Sequence, residues 1–261
     1  MTAHTFRGKV VEIPSGIDEL TPEQYVFYLH LTAWLRARAV TPRMWLRRWA
    51  ACLAGLGEVN PDLLREEFRE QFEEIEAAVE RAFLIRNDAG EPMPETTSCR
   101  NLLPFYKGFK GPGDWLDGMT FGSFTKCAAL IEQARTAIDS DAADIYAEIA
   151  REIYAIPEGE RVPQVLVWHA PALFVAVSRA IQSEPVDING KPVDFGIIFR
   201  PAPVADRRPD DNTGWAGVAF EVAASGIFGN MRELENAPLW DVLLYLYKCK
   251  FEYLHEKSKK K

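Results

Sequence analysis

Between Leu64 and Ala82 the chain sets an apolar residue at Leu64, Phe68, Phe72, Ile75, Val79 and Ala82, advancing by steps of 4, 4, 3, 4 and 3. Only a helix gathers such positions on one face; a strand alternates every second residue and would scatter them. The stripe must be buried, so this helix needs neighbours. Two helix starts precede it. Thr21-Pro22-Glu23-Gln24 offers a threonine N-cap, a proline at the first helical position and a glutamine placed to close a capping box. Thr41-Pro42 repeats the device, and Asn60-Pro61 begins the long helix itself. The expected helices run from Thr21 to about Arg38, from Thr41 to near Gly57, and from Asn60 to about Phe83. Joined by short turns, they make a helical unit.

Other stretches break the helical period. Phe6 to Ile13 reads as a strand ended by Pro14-Ser15-Gly16, and Leu84-Ile85-Arg86 as a short strand followed by a turn at Asn87 to Gly90. Residues 91 to 118 are rich in proline and glycine and mark the boundary between two lobes. Thr120 then caps a helix to about Ala137, and Asp141 caps another through Ile145, Ile149 and Ile153. Val165 to Ile181 is nearly all apolar and reads as a buried central helix. Val186 to Val193 reads as a hairpin around Asn189-Gly190. Ile197-Ile198-Phe199-Arg200-Pro201 reads as a strand or extended run, and 202–212 as a polar loop. Thr213 opens a helix that Gly226 stops, and a last helix starts near Pro238. The expected fold is mainly α and multi-helix, with one or two short β-hairpins. Its parts are an N-terminal helical lobe (1–104), a Gly/Pro-rich connector (105–118), a C-terminal helical lobe (119–256) and a basic tail (257–261).

Composition narrows the function. The chain has 261 residues and a formal net charge of −8, with 48% hydrophobic residues. It is folded rather than disordered. No apolar run suggests a membrane span, and the first residues lack the basic start and apolar core of a signal peptide. A pI near 5.2 opposes general nucleic-acid binding. The four cysteines, Cys52, Cys99, Cys127 and Cys249, form no CxxC and read as free, buried thiols of a reducing compartment.

Familiar chemistry does not emerge. His4, His30, His169 and His255 show no metal-ligand spacing, and His169 reads as a satisfied core residue. An EF-hand starting at Asp139 would need glycine at its sixth position and glutamate at its twelfth, where Asp144 and Ala150 stand. The stretch Gly108 to Gly113 matches neither phosphate-loop pattern, and its proline removes a donor. A GxSxG elbow is absent. No catalytic, cofactor-binding or metal residue is assigned, and no cofactor is expected.

Charge and aromatic content say more. Gln24 to Gly57 holds five arginines and no acid, whereas Asp62 to Arg81 holds eight acids and three arginines. These neighbouring surfaces complement one another. A helix–turn–helix that read DNA would have to push the acidic helix toward phosphates, which repulsion opposes. Most of the aromatics belong to a core, but some are candidates for a groove that takes a partner helix. The partner-binding candidates are Trp45, Arg47, Arg48 and Trp49 on the second helix, then Trp240 and Tyr247 on the last.

Four segments then stand together in order: Ile13-Pro14 with Glu19 to Tyr25; Gly111-Pro112-Gly113-Asp114-Trp115-Leu116 followed by Met119 to Phe124; Phe199-Arg200-Pro201; and Ala224-Ser225-Gly226-Ile227-Phe228-Gly229 leading into Asn236 to Leu243. This order resembles a group of mainly helical proteins encoded in tail-gene clusters of bacteriophages and prophages, some of them tail assembly chaperones. The resemblance spans most of the chain through loose motifs. It implies a non-enzymatic, cytoplasmic protein of a bacterial host that binds the tape-measure or another tail protein, without nucleic acid or membrane. A structural virion component, a connector or baseplate subunit, is the second reading, and an enzyme with an unfamiliar pocket the third. The lysines of 257–261 fit a solvated tail or the slippery end of such chaperone genes. The absence of an extension domain puts that second possibility in doubt.

Overall fold

The computed structural model describes residues 1–57, 65–87, 89–188, 190–200 and 213–259; of residues 67, 139, 140 and 257–259 it describes the backbone alone. The described residues form ten α-helices and four two-stranded antiparallel hairpins, a mainly α fold. The chain divides into two compact units, Met1–Ser98 and Cys99–Lys261. The Gly/Pro-rich residues 105–118 therefore lie inside the second unit.

The first unit opens with β1 (Thr2–Phe6) and β2 (Lys9–Ile13), paired Thr2 to Ile13 through Phe6 to Lys9. The single strand expected over Phe6 to Ile13 is thus a turn and one strand. Arg7 and Gly8 both take positive φ, 51° and 75°, and reverse the chain between them. Helix α1 (Pro22–Arg36) begins on the expected capping box. The Gln24 N–H donates to Thr21 Oγ1 at 3.3 Å, and the Thr21 N–H donates to Gln24 Oε1 at 2.9 Å. Thr41 caps α2 (Pro42–Leu53) by accepting from the Met44 N–H at 3.2 Å. The start expected at Asn60-Pro61, with Leu64, lies outside the described residues. Helix α3 is described over Glu66–Phe83; of the expected stripe it buries Phe72, Ile75 and Val79 and leaves Phe68 and Ala82 half-buried, and it buries Phe83 as well. Phe6 of the hairpin packs on Phe68 and Phe72, each ring centroid 6.2 Å away, and the Arg7 N–H donates to Gln71 Oε1. Strands β3 (Leu84–Arg86) and β4 (Pro92–Pro94) close the unit.

The second unit begins with the small hairpin β5 (Phe105–Tyr106) and β6 (Phe109–Lys110). Helix α4 (Phe121–Thr136) is capped by Thr120, which accepts from the Ser123 N–H at 3.1 Å. Helix α5 spans Asp139–Ile153 and starts after Ile138, so Asp141 sits in its first turn and is not the cap. Helix α6 (Gln164–Ser183) contains Pro171 and buries twelve of its residues. By length and composition alone it is apolar enough to cross a membrane, and 67% of the qualifying window is buried inside the fold. Strands β7 (Val186–Ile188) and β8 (Lys191–Val193) form the expected hairpin; Asn189 of its turn lies outside the described residues. Gly196–Phe199 is a single helical turn, α7, where an extended run was expected. A short apolar run carries no period long enough to decide between the two. The loop 202–212 and Pro201 lie outside the described residues. Helix α8 (Gly214–Ser225) stops at Gly226 with φ 72°. Helices α9 (Met231–Glu235) and α10 (Leu239–Lys259) complete the unit, and α10 carries its helical backbone into the lysine-rich end.

Candidate functional site

Unit 2 has a polar knot in its core. The Asn101 N–H donates to Asp114 Oδ1 at 2.9 Å, and Asn101 Nδ2 donates to the Pro112 carbonyl at 2.7 Å. Its Oδ1 accepts from the Leu103 N–H at 3.0 Å and lies 2.9 Å from His169 Nε2. An amide oxygen only accepts, so Nε2 carries the histidine proton. Tyr154 OH donates to the Leu103 carbonyl at 2.8 Å. Burial holds the His169 pKa down at about 3, so the ring is neutral. The knot ties residues 99–114 to α5 and α6 and leaves the histidine no route to solvent, which suits a structural residue.

A second cluster lies at the start of α4. Ser123 Oγ donates to Glu152 Oε1 and Lys126 Nζ donates to Glu152 Oε2, both at 2.6 Å. Hydrogen bonding to Glu152 raises the Lys126 pKa. Burial pushes the Glu152 carboxyl up, but the bonds from Lys126 and Ser123 outweigh it and leave the pKa lowered. A serine nucleophile needs a neighbour able to take its proton. Here the lysine is held charged and the carboxylate is held weakly basic, so the trio acts as a cross-link between α4 and α5. Cys127 beside it is buried, and its thiol is pushed up to about 12 by that burial. Cys52 and Cys99 are half-buried, and Cys249 is exposed on α10, against the expectation of burial. Among the described residues no three His, Cys, Asp or Glu side chains are placed to hold a metal ion.

A groove of about 1450 Å³ is walled by α4, α6, α8 and α9. Its floor is aromatic. Phe124 meets Phe174 at 5.2 Å and Trp215 edge-on at 5.3 Å, while Trp215 also contacts Phe121 and Phe199. Gly122 lets α4 and α9 approach: a Cβ there would stand 2.8 Å from the Glu235 carbonyl oxygen. Ser178 Oγ is buried in the wall without a hydrogen-bond partner among the described residues. Above the floor, Val175 and Phe220 remain 43% and 68% exposed. Helix α8 has one charged residue, Glu221, yet only Val222 is buried. A helix apolar on all sides is ordinarily buried on all sides. The sequence placed α8 between Thr213 and Gly226 without singling it out as a site; its near-complete lack of charge was the available signal.

The aromatic candidates of the second helix have another role. Trp45 and Trp49 are fully buried and present no surface to a partner. Tyr28 packs edge-on against both, at 5.5 and 5.2 Å, and Phe83 closes on Trp49 at 5.5 Å. The i, i+4 pair is the core face of α2. Arg47 Nε lies 2.9 Å from Glu76 Oε1 and joins α2 to α3, the complementarity expected of those surfaces. Burial raises the Glu76 pKa, against the pull of Arg47. Arg47→Glu would set two carboxylates together at this joint and test folding, not binding. Arg48 is exposed and lies over the Trp34 ring at 5.9 Å. In the other unit Trp240 and Tyr247 are half-buried on Phe195, at 5.6 and 5.8 Å. Compared with protein-family models, curated proteins and solved structures, the chain matches none of them.

Proposed function

We propose that this chain is a non-enzymatic assembly protein of phage-tail type, a chaperone whose second unit covers apolar helical surface of the tape-measure protein before the tail tube encloses it. The observation that carries the reading is the uncovered apolar lining of the groove, Val175 on α6 and Phe220 on α8. Contiguous apolar surface of this kind marks binding sites. The groove exceeds the ~300–1,000 Å³ usual for small-ligand sites and is walled by helices, which suits a helical segment laid along it. The fixed charges of Lys126 and Glu152 beside it favour binding over proton transfer. The order of the four tail-cluster-like segments supplies the tail assignment. The protein acts in the cytoplasm of a bacterial host, without cofactor, nucleic acid or membrane.

The test is crosslinking of the tagged protein in its native host or an induced lysogen, with mass spectrometry of what co-purifies, for wild type and for V175E/F220E. Wild type is expected to recover a very long helical tail protein and the variant to lose it, with this chain missing from finished particles. Stable presence in purified particles would favour a connector or baseplate subunit. Recovery of a metabolic enzyme, a nucleic acid or nothing would remove the phage-tail reading.

A further inference from the structure

Helices α1 and α2 end in the same way. Beyond α1, the Ala39 N–H donates to the Trp34 carbonyl at 2.8 Å and the Arg38 N–H to the Leu35 carbonyl at 3.0 Å. Beyond α2, the Leu56 N–H donates to the Ala51 carbonyl at 2.9 Å and the Gly55 N–H to the Cys52 carbonyl at 3.0 Å. Both are Schellman closures, which put one residue in the left-handed region. After α2 that residue is Gly55, φ 69°; after α1 it is Arg38, φ 57°. A Cβ is strained in that conformation, and glycine has none. The corner between α1 and α2 thus carries an exposed arginine where glycine would be more stable.

The corner is basic in a chain of net charge −8, and no acid stands between Gln24 and Gly57. Arg47 is tied to Glu76, and Arg43 acts on the same carboxylate. Arg36, Arg38 and Arg48 are exposed and form no ion pair among the described residues. Two large apolar side chains stand open beside them. Trp34 is 43% exposed, with the Arg48 guanidinium 5.9 Å from its ring. Met44 is 42% exposed and lies one turn before Arg48, on the same face of α2. Tryptophan and arginine are the types that anchor protein interfaces. We propose that this corner docks an acidic segment of a partner protein that carries one aromatic or aliphatic anchor. The anchor packs on Trp34 and Met44. Its flanking carboxylates meet Arg38 and Arg48, whose guanidinium forks can each bind a carboxylate with two hydrogen bonds. A protein segment suits the corner better than nucleic acid. Helix α3, joined to α2 through Glu76, carries Glu70, Glu73, Glu74 and Glu80, which would repel an extended run of phosphates. The corner lies in the first unit and the groove in the second, so the inference stands apart from the tail-assembly reading.

Fluorescence anisotropy on the full-length protein tests it, with two labelled synthetic peptides as probes. Each has a single tryptophan, flanked on both sides by glutamates in one and by glutamines in the other. The glutamate peptide is expected to bind at least about tenfold more tightly, and more weakly as salt rises. R48Q is expected to weaken that binding about threefold or more with the melting temperature unchanged. R38G is expected to weaken it to a similar extent while raising the melting temperature, because glycine suits the left-handed position. V175E/F220E is expected to leave the binding intact, whatever becomes of the groove. Equal binding of the two peptides would overturn the proposal, as would wild-type binding in both R38G and R48Q. A fall in melting temperature together with binding in R38G would make Arg38 a structural residue and overturn it too. It would also fall if a labelled thymidine oligonucleotide bound more tightly than the glutamate peptide and lost that binding in R48Q, or if the protein formed a dimer abolished by R48Q.

Discussion

His169 shows what one buried residue can impose on the molecule. Its ring nitrogen is held by Asn101, and desolvation keeps its pKa near 3 against about 6.5 for an unfolded chain. Between those values the unfolded chain binds a proton that the fold refuses, so stability rises with pH. The contribution is fully present above about pH 6.5 and is lost as pH falls toward 3. Replacing His169 with Gln, which can still donate to Asn101, is expected to flatten the fall in urea midpoint between about pH 6.5 and 4. Equal slopes for the two proteins would show that His169 stays solvated or already charged. Trp45 and Trp49 make the complementary point. Their type advertises a binding hot spot, but their i, i+4 spacing puts them on the side of α2 that Tyr28 and Phe83 cover. Residue type was legible; which side of the helix met the core depended on neighbours 17 or more residues away in sequence.

At the scale of elements, legibility followed the presence of a local chemical signal. Where a side chain satisfies the first free N–H groups, as at Thr21, Thr41 and Thr120, the expected starts of α1, α2 and α4 match the observed ones. At α5, where none does, the boundary moved: the helix begins after Ile138, whose side chain caps nothing, and not at Asp141. The turn at Arg7 was invisible because an arginine at positive φ is set by its surroundings and not by its own preference. The groove was illegible for a related reason. The sequence shows that α8 is apolar, but only the packing of Trp215 among Phe121, Phe124 and Phe199 decides which of its sides stays open. Capping itself is measurable. Thr21→Ala removes an acceptor from the first turn of α1 and half of a capping box, and is expected to cost about 1 kcal/mol in urea unfolding. No change would mean that water replaces the cap at no loss.

The molecule as a whole is acidic, but its surface is uneven. Val175, Phe220, Ile227, Phe251, Tyr253 and Leu254, all in the second unit, are large apolar residues left in solvent. Sulfate strengthens apolar association, so the free protein is expected to precipitate at lower ammonium sulfate than V175E/F220E. Identical precipitation curves would mean that these side chains do not govern its solubility. The first unit faces a constraint of another kind, one of order in time. Its hairpin is made first, but a lone two-stranded hairpin is marginal in water. The rings that cover Phe6 belong to Phe68 and Phe72, more than sixty residues downstream. At roughly 5–20 residues per second, synthesis reaches them about 3–13 s after Phe6. For that interval the nascent chain carries an unpartnered aromatic, and the first unit closes only when α3 has followed it out of the ribosome.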